Sequence, residues 1–100
     1  MKNKKLLRVE RVIELYKKGT SEVEAEINID HLPLQSLLEI FTPYERGDPE
    51  LFDPYKIHED QLVKLNCYLQ TPLFYDDMKY DYILACFGVY QDTDTGEILE

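Results

Sequence analysis

The side chains best suited to bond making or metal binding are few and scattered. Cys67, Cys86, His31 and His58 share no CxxC or HxxxH spacing, so no zinc set is expected. Asp92-Thr93-Asp94-Thr95-Gly96 matches the opening of a calcium loop. It lacks the third acidic position before the glycine and the closing glutamate, and reads instead as a hairpin turn with Asx-type bonds. No phosphate-cradling glycine loop and no nucleophile elbow occurs. The pairs Glu59-Asp60 and Asp76-Asp77 could serve acid–base chemistry, but twenty acidic residues in a chain of 100 make chance pairs expected. Neither cysteine has a neighbour that would activate its thiol, and both read as small core residues. The sequence therefore predicts no catalytic residue, no cofactor-binding residue and no metal ligand, which favours a binding protein over an enzyme.

What remains chemically distinctive is charge. Residues 1–18 hold seven Lys/Arg and two Glu, a net of +5, whereas residues 19–100 hold four Lys/Arg and eighteen Asp/Glu, a net of −14. An acidic body repels nucleic-acid phosphates and steers basic proteins toward itself; such a surface also keeps a small domain soluble. Two acidic groups stand out. The first is Glu22, Glu24 and Glu26, which alternate along one stretch. The second lies in residues 42–56, where Tyr44, Phe52 and Tyr55 interleave with Glu45, Asp48, Glu50 and Asp53. Aromatic side chains beside charges are the usual material of protein-binding surfaces. Equally, Leu51, Phe52 and Tyr55 could fold back as a plug over one end of the core.

The elements that must position these groups follow from periodicity. Over residues 6–29, Leu7, Val9, Ile13 and Leu15, then Val23, Ala25, Ile27 and Ile29, recur at every second position, the signature of half-buried strands. Lys17-Lys18-Gly19 suits a three-residue hairpin loop that sets Ile13 opposite Val23, Val9 opposite Ile27 and Glu14 opposite Glu22. Arg11 interrupts the inward face, so either a bulge turns it outward or its stem is buried at the sheet margin. Leu34, Leu37, Leu38 and Phe41 form a helical stripe opened by Pro33, with Asp30 as a candidate cap, and closed by Thr42-Pro43. The three prolines and one glycine of residues 42–56 exclude regular structure there. Leu62, Leu65 and Leu69 mark a second helix over residues 59–69. Residues 79–90, apolar on both faces, read as a central strand paired with the hairpin, and residues 97–100 as at most a short edge strand.

The predicted fold is α+β in one domain over residues 1–100. Its sheet is antiparallel with three to four strands in the order β-β-α-α-β, with both helices on one face. The predicted core is Val9, Ile13, Val23, Ile27, Leu34, Leu37, Leu38, Phe41, Leu62, Leu65, Leu69, Leu84 and Cys86. No apolar run approaches the ~20 residues of a membrane span. The basic start of the chain lacks the pattern of a secretory signal, and two distant cysteines suit a reducing cytoplasm.

The segment NIDHLPLQSLLEIFTPYERGDPELFDPYKIHEDQLVKLNCYL combines a Leu-Pro-Leu helix, an acidic Asp-Pro loop, a Pro-Tyr-x-Ile step and a second helix. With the preceding hairpin, over residues 5–90, it resembles small bacterial immunity proteins of polymorphic or contact-dependent growth inhibition toxin systems. That resemblance implies a cytoplasmic protein that binds and neutralises one cognate toxin domain, often a nuclease, without catalysis. Partner contacts are expected first on Tyr44, Glu45, Asp48, Glu50, Asp53 and Tyr55, and second on Glu22, Glu24 and Glu26. The expected partner is a basic protein, not nucleic acid or membrane, and the chain is expected to be a monomer or weak homodimer. The alternative is a protein-binding or regulatory module of an unrelated cytoplasmic complex.

Overall fold

The computed structural model describes residues 3–99. Met1 and Lys2 of the basic lead-in, and Glu100 at the end of the expected last strand, lie outside the described residues. Seven elements follow in order: β1 (Lys4–Lys17), β2 (Val23–Asn28), α1 (Leu34–Leu38), β3 (Tyr55–Lys56), α2 (Glu59–Asn66), β4 (Tyr80–Asp92) and β5 (Ile98–Leu99). The fold is α+β. Its open antiparallel sheet has five strands rather than three or four, in the order β2-β1-β4-β3, with β5 also pairing β4. The added strand, Tyr55–Lys56, lies in the proline-rich segment expected to be irregular throughout. It is only two residues long and exists because Tyr55 and Lys56 meet Leu84 and Ile83 of β4, a long-range pairing with no local periodicity to announce it.

β1 and β4 are the long central pair, running from Lys4 opposite Asp92 to Lys17 opposite Tyr80 with one shift of register between Leu6 and Arg8. On one face Ile13 and Leu15 of β1 lie opposite Leu84 and Tyr82 of β4. These four belong to a single buried cluster with Leu37 and Phe41 from the first helical region, and Leu62 and Leu65 from α2. Both helices therefore cover this face. Its other half is covered by the loop before β3, through Leu51 and Tyr55, which join the same cluster.

The hairpin register differs from the expected one. Ile13 faces Ile27 and Glu14 faces Glu26, and the pairing shifts between Leu15 and Tyr16, so that Tyr16 meets Val23. The turn is longer than three residues: Lys17 N–H donates to the Glu22 carbonyl and Thr20 N–H to the Lys17 carbonyl, with Gly19 at φ 74°. The Thr20 hydroxyl binds at both ends, donating to the Lys17 carbonyl and accepting from Glu22 N–H. These bonds stabilise a wider loop than the Lys-Lys-Gly pattern alone suggests. The shift leaves Val23, expected in the core, 40% exposed.

Arg11 is not turned outward by a bulge; the irregularity in β1 falls between Leu6 and Arg8 instead. Arg11 stays opposite Cys86, half-buried, and its guanidinium donates to the Glu50 carbonyl at 2.8 Å. A cation is thus set between strand and loop. Asp30 does not cap α1, since its carboxylate accepts from the Arg11 N–H at 2.7 Å. α1 is correspondingly short and lacks a side-chain cap. α2 ends at Asn66, three residues before its expected end. The Asn66 amide pairs with both backbone groups of Leu73, at 2.8 and 2.9 Å, fastening the connector to the helix end. The Asp92 turn forms as expected: the Asp92 carboxylate accepts from Asp94 N–H and Thr95 N–H, and Gly96 closes the turn at φ 75°.

Candidate functional site

The two groups of residues singled out by charge lie in different settings. In the loop, Asp48 and Tyr55 are buried. The Asp48 carboxylate accepts from the Tyr55 hydroxyl at 2.7 Å and from the amides of Phe52 and Asp53 at 2.9 and 3.0 Å. The Tyr55 oxygen also accepts from Tyr44 N–H at 3.1 Å. Burial pushes the Asp48 carboxyl upward, but these hydrogen bonds outweigh it and hold the group below the usual carboxylate range. Burial, then the bond to Asp48, pushes the Tyr55 phenol up. Both side chains brace the loop from within, their polar atoms engaged by partners inside the loop.

The residues that remain at the loop surface are Tyr44, Glu45 and Glu50, with Asp53 partly exposed. Tyr44 stacks on Tyr55 with ring centroids 4.2 Å apart, and its hydroxyl donates to the Pro54 carbonyl at 2.8 Å, so its ring is held rigidly. Arg46 lies over the Tyr44 ring at 4.8 Å and pairs with Asp53 at 2.9 Å. It had no place among the expected contacts. Its signal was its isolation, as the only basic residue within 42–55. It neutralises one of the carboxylates and makes the rim Tyr44–Arg46–Asp53 mixed rather than acidic. Leu51 adopts φ 55° while fully buried, a strained conformation for a branched side chain that the surrounding contacts hold in place.

The second group is divided by the register shift. Glu26 stays on the sheet face opposite the helices, whereas Glu24 lines a shallow recess with Lys17, Lys18 and Tyr80 at the end of the sheet. Glu22 sits in the turn, its carbonyl bound to Lys17 N–H. The alternation Glu22-Glu24-Glu26 therefore does not make one row.

The face that Glu26 occupies is the more informative surface. By strand alternation it also carries Glu10, Val12, Glu14 and Tyr16 of β1, and Asp81, Ile83, Ala85, Phe87 and Val89 of β4. Val12, Ala85 and Val89 are buried but belong to no part of the helix-covered core. Phe87 remains 46% exposed. Across this face Glu14 stands directly opposite Glu26, and Glu14 is only 7% exposed. Its one side-chain partner among the described residues is the Tyr16 hydroxyl, which donates to Oε1 at 3.1 Å. Burial, and then this bond to a carboxylate, pushes the Tyr16 phenol up. Glu14 forms the floor of a groove of about 460 Å³, walled by Tyr16, Ile83, Pro54 and Lys56. Among the described residues no ion pair involves Glu14, Glu22, Glu24 or Glu26.

Among the described residues no three His, Cys, Asp or Glu side chains gather in a way that could hold a metal ion, and no helix is long and apolar enough to cross a membrane. The two thiols differ from the expectation of buried core residues. Cys67 is exposed at the end of α2, and Cys86 is half-buried, its thiol pushed up by burial.

Residues 10–85 match the model of a family described as a domain of unknown function, DUF7683, and the chain belongs to that family. The match runs from within β1 into β4 and so takes in the hairpin, both helices and the loop. No curated protein and no solved structure matches the chain.

Proposed function

We propose that this chain is a non-catalytic cytoplasmic inhibitor of the immunity type, which binds a basic bacterial toxin domain and occludes its substrate-binding surface. One observation carries the reading: Glu14 and Glu26 face each other across β1 and β2 on the sheet face opposite the one that both helices of the described residues cover. Like charges directly opposite destabilise a strand pair. A partner's Lys or Arg placed on the exposed Glu26, beside the buried Glu14, offsets that repulsion, so the arrangement favours the bound state over the free one. Ile83, Phe87 and the groove walls supply apolar contact beside the charges, the mixture that interface centres use. A nuclease domain suits this surface because its substrate is a polyanion, which the carboxylates imitate.

The face around Glu14 and Glu26 takes the central contacts, and Tyr44, Glu45 and Glu50 of the loop form a second, peripheral group. Apolar contacts at the centre govern dissociation, while the carboxylates of both groups govern association rate and salt response. The test is to purify the product of the reading frame next to this one and titrate it against this chain across ionic strength. A one-to-one complex whose association slows with salt, and slows further in Glu14→Gln/Glu26→Gln, supports the reading. Absence of binding, or binding indifferent to salt and to both substitutions, overturns it and leaves a protein-binding module of another kind.

A further inference from the structure

β2 is the outer strand of the sheet, with β1 on one side and, among the described residues, no strand on the other. Ile29 N–H bonds to the Arg11 carbonyl, so by alternation Ile27 and Ala25 turn their backbone groups toward β1. Glu26 and Asn28 turn theirs outward, and no hydrogen bond to those outward groups occurs among the described residues. A row of open N–H and C=O groups is a template for a further strand. Charged side chains alone would serve only to discourage such pairing. Here a groove of about 710 Å³ runs beside the same edge on the helix side, lined by Ala25, Ile27, His31, Tyr68, Leu69 and Leu73.

We infer that the β2 edge accepts an extended segment of the basic partner as an added strand. This deepens the proposed function and rests on it. In an added strand alternate side chains point to opposite faces. One set would enter the groove beside Ile27, Tyr68 and Leu73, and must be apolar. The other would lie beside Glu26 on the uncovered face, and must be basic. The occupant is therefore an extended segment alternating Lys or Arg with aliphatic residues. A second copy of this chain fits poorly, because pairing two β2 edges sets Glu24 and Glu26 against their counterparts.

The probe is a blocked heptapeptide of alternating lysine and valine, with two controls: the same peptide N-methylated at every valine, and at every lysine. The readouts are amide shifts and hydrogen exchange of the full chain by NMR. Expected are slowed exchange at the Glu26 and Asn28 amides and side-chain shifts at Tyr68. Binding should weaken about tenfold or more for whichever control blocks the hydrogen bonds facing β2, since the bonds to the Glu26 and Asn28 carbonyls are lost together. Glu26→Gln, which keeps the strand, should weaken the unmethylated peptide by about two- to fivefold. Equal binding of all three peptides, shifts confined to Ile83 and Phe87, or no binding of the lysine–valine peptide overturns strand addition. So does a dimer that protects the same amides without peptide. In each of those cases salt-dependent binding of the toxin domain would still stand, so failure here is separable from failure of the proposed function.

Discussion

The Tyr55 hydroxyl donates to Asp48 Oδ2 at 2.7 Å while accepting from the Tyr44 N–H, so one buried phenol ties together both limbs of the loop before β3. Two amides complete the shell of Asp48. The loop thereby gains a fixed shape without helix or sheet, and Tyr44 and Glu45 are displayed on a rigid frame. Tyr55→Phe keeps the ring stacked on Tyr44 but leaves an amide and a carboxylate oxygen short of a partner in a buried site. It should cost about 1–3 kcal/mol, read as a lower urea midpoint at unchanged m-value. An unchanged midpoint would mean that water replaces the hydroxyl.

The same cluster sets an acid limb. Asp48 is held below its ordinary value in the folded chain, so its contribution is present above the unfolded carboxyl pKa of about 3.9 and lost as pH falls through the lower folded value. Asp48→Asn should therefore lower stability at neutral pH and flatten the decline below about pH 4. The difference between wild-type and variant urea midpoints from neutral to strongly acid solution isolates this group from the other carboxylates. A constant difference across that range would show that Asp48 does not titrate with folding.

Opposed carboxylates on an uncovered face predict stability and binding changing in opposite directions. Glu26→Gln removes the repulsion with Glu14 and should stabilise the free chain by roughly 0.2–1 kcal/mol, seen as a raised melting temperature. The same substitution should slow association with the basic partner, most at low salt where screening is weakest. A lowered melting temperature would indicate that Glu26 has a stabilising partner in solution.

Core substitutions should separate the two helical stripes. Leu65 is fully buried within the central cluster, whereas Leu38 is half-buried at its margin. Leu65→Ala should cost about 2–5 kcal/mol through the cavity it leaves. Leu38→Ala should cost clearly less, because solvent already reaches it. Equal shifts in denaturation midpoint would contradict this placement of α1.

The thiols should react unequally. Cys67 is exposed, while burial raises the Cys86 thiol and reduces its thiolate fraction. In the folded chain one equivalent should alkylate quickly at Cys67, and the second only slowly or on denaturation. Peptide mapping of the modified sites checks the order.

Much of the fold was legible in residue periodicity, because alternation and helical spacing are local consequences of which side must leave water. The long strands at residues 4–17 and 80–92, the two helices in sequence, and the Asp92 turn all follow from such local patterns. The net charge of −9, and its concentration after residue 18, likewise belong to the sequence alone. Register did not. Whether Glu14 meets Glu22 or Glu26 depends on a wide turn fastened by Thr20 and on a shift at Leu15/Tyr16, and a slip of this kind redirects every side chain beyond it. The pairing of Tyr55 with Leu84 and the burial of Asp48 are long-range outcomes that residues 42–56 do not encode by themselves. They arise only when the loop closes against β4. Sequence thus determined which residues are acidic and aromatic; tertiary packing decided which of them face inward as braces and which stay outside, because burial is a property of neighbours distant in the chain.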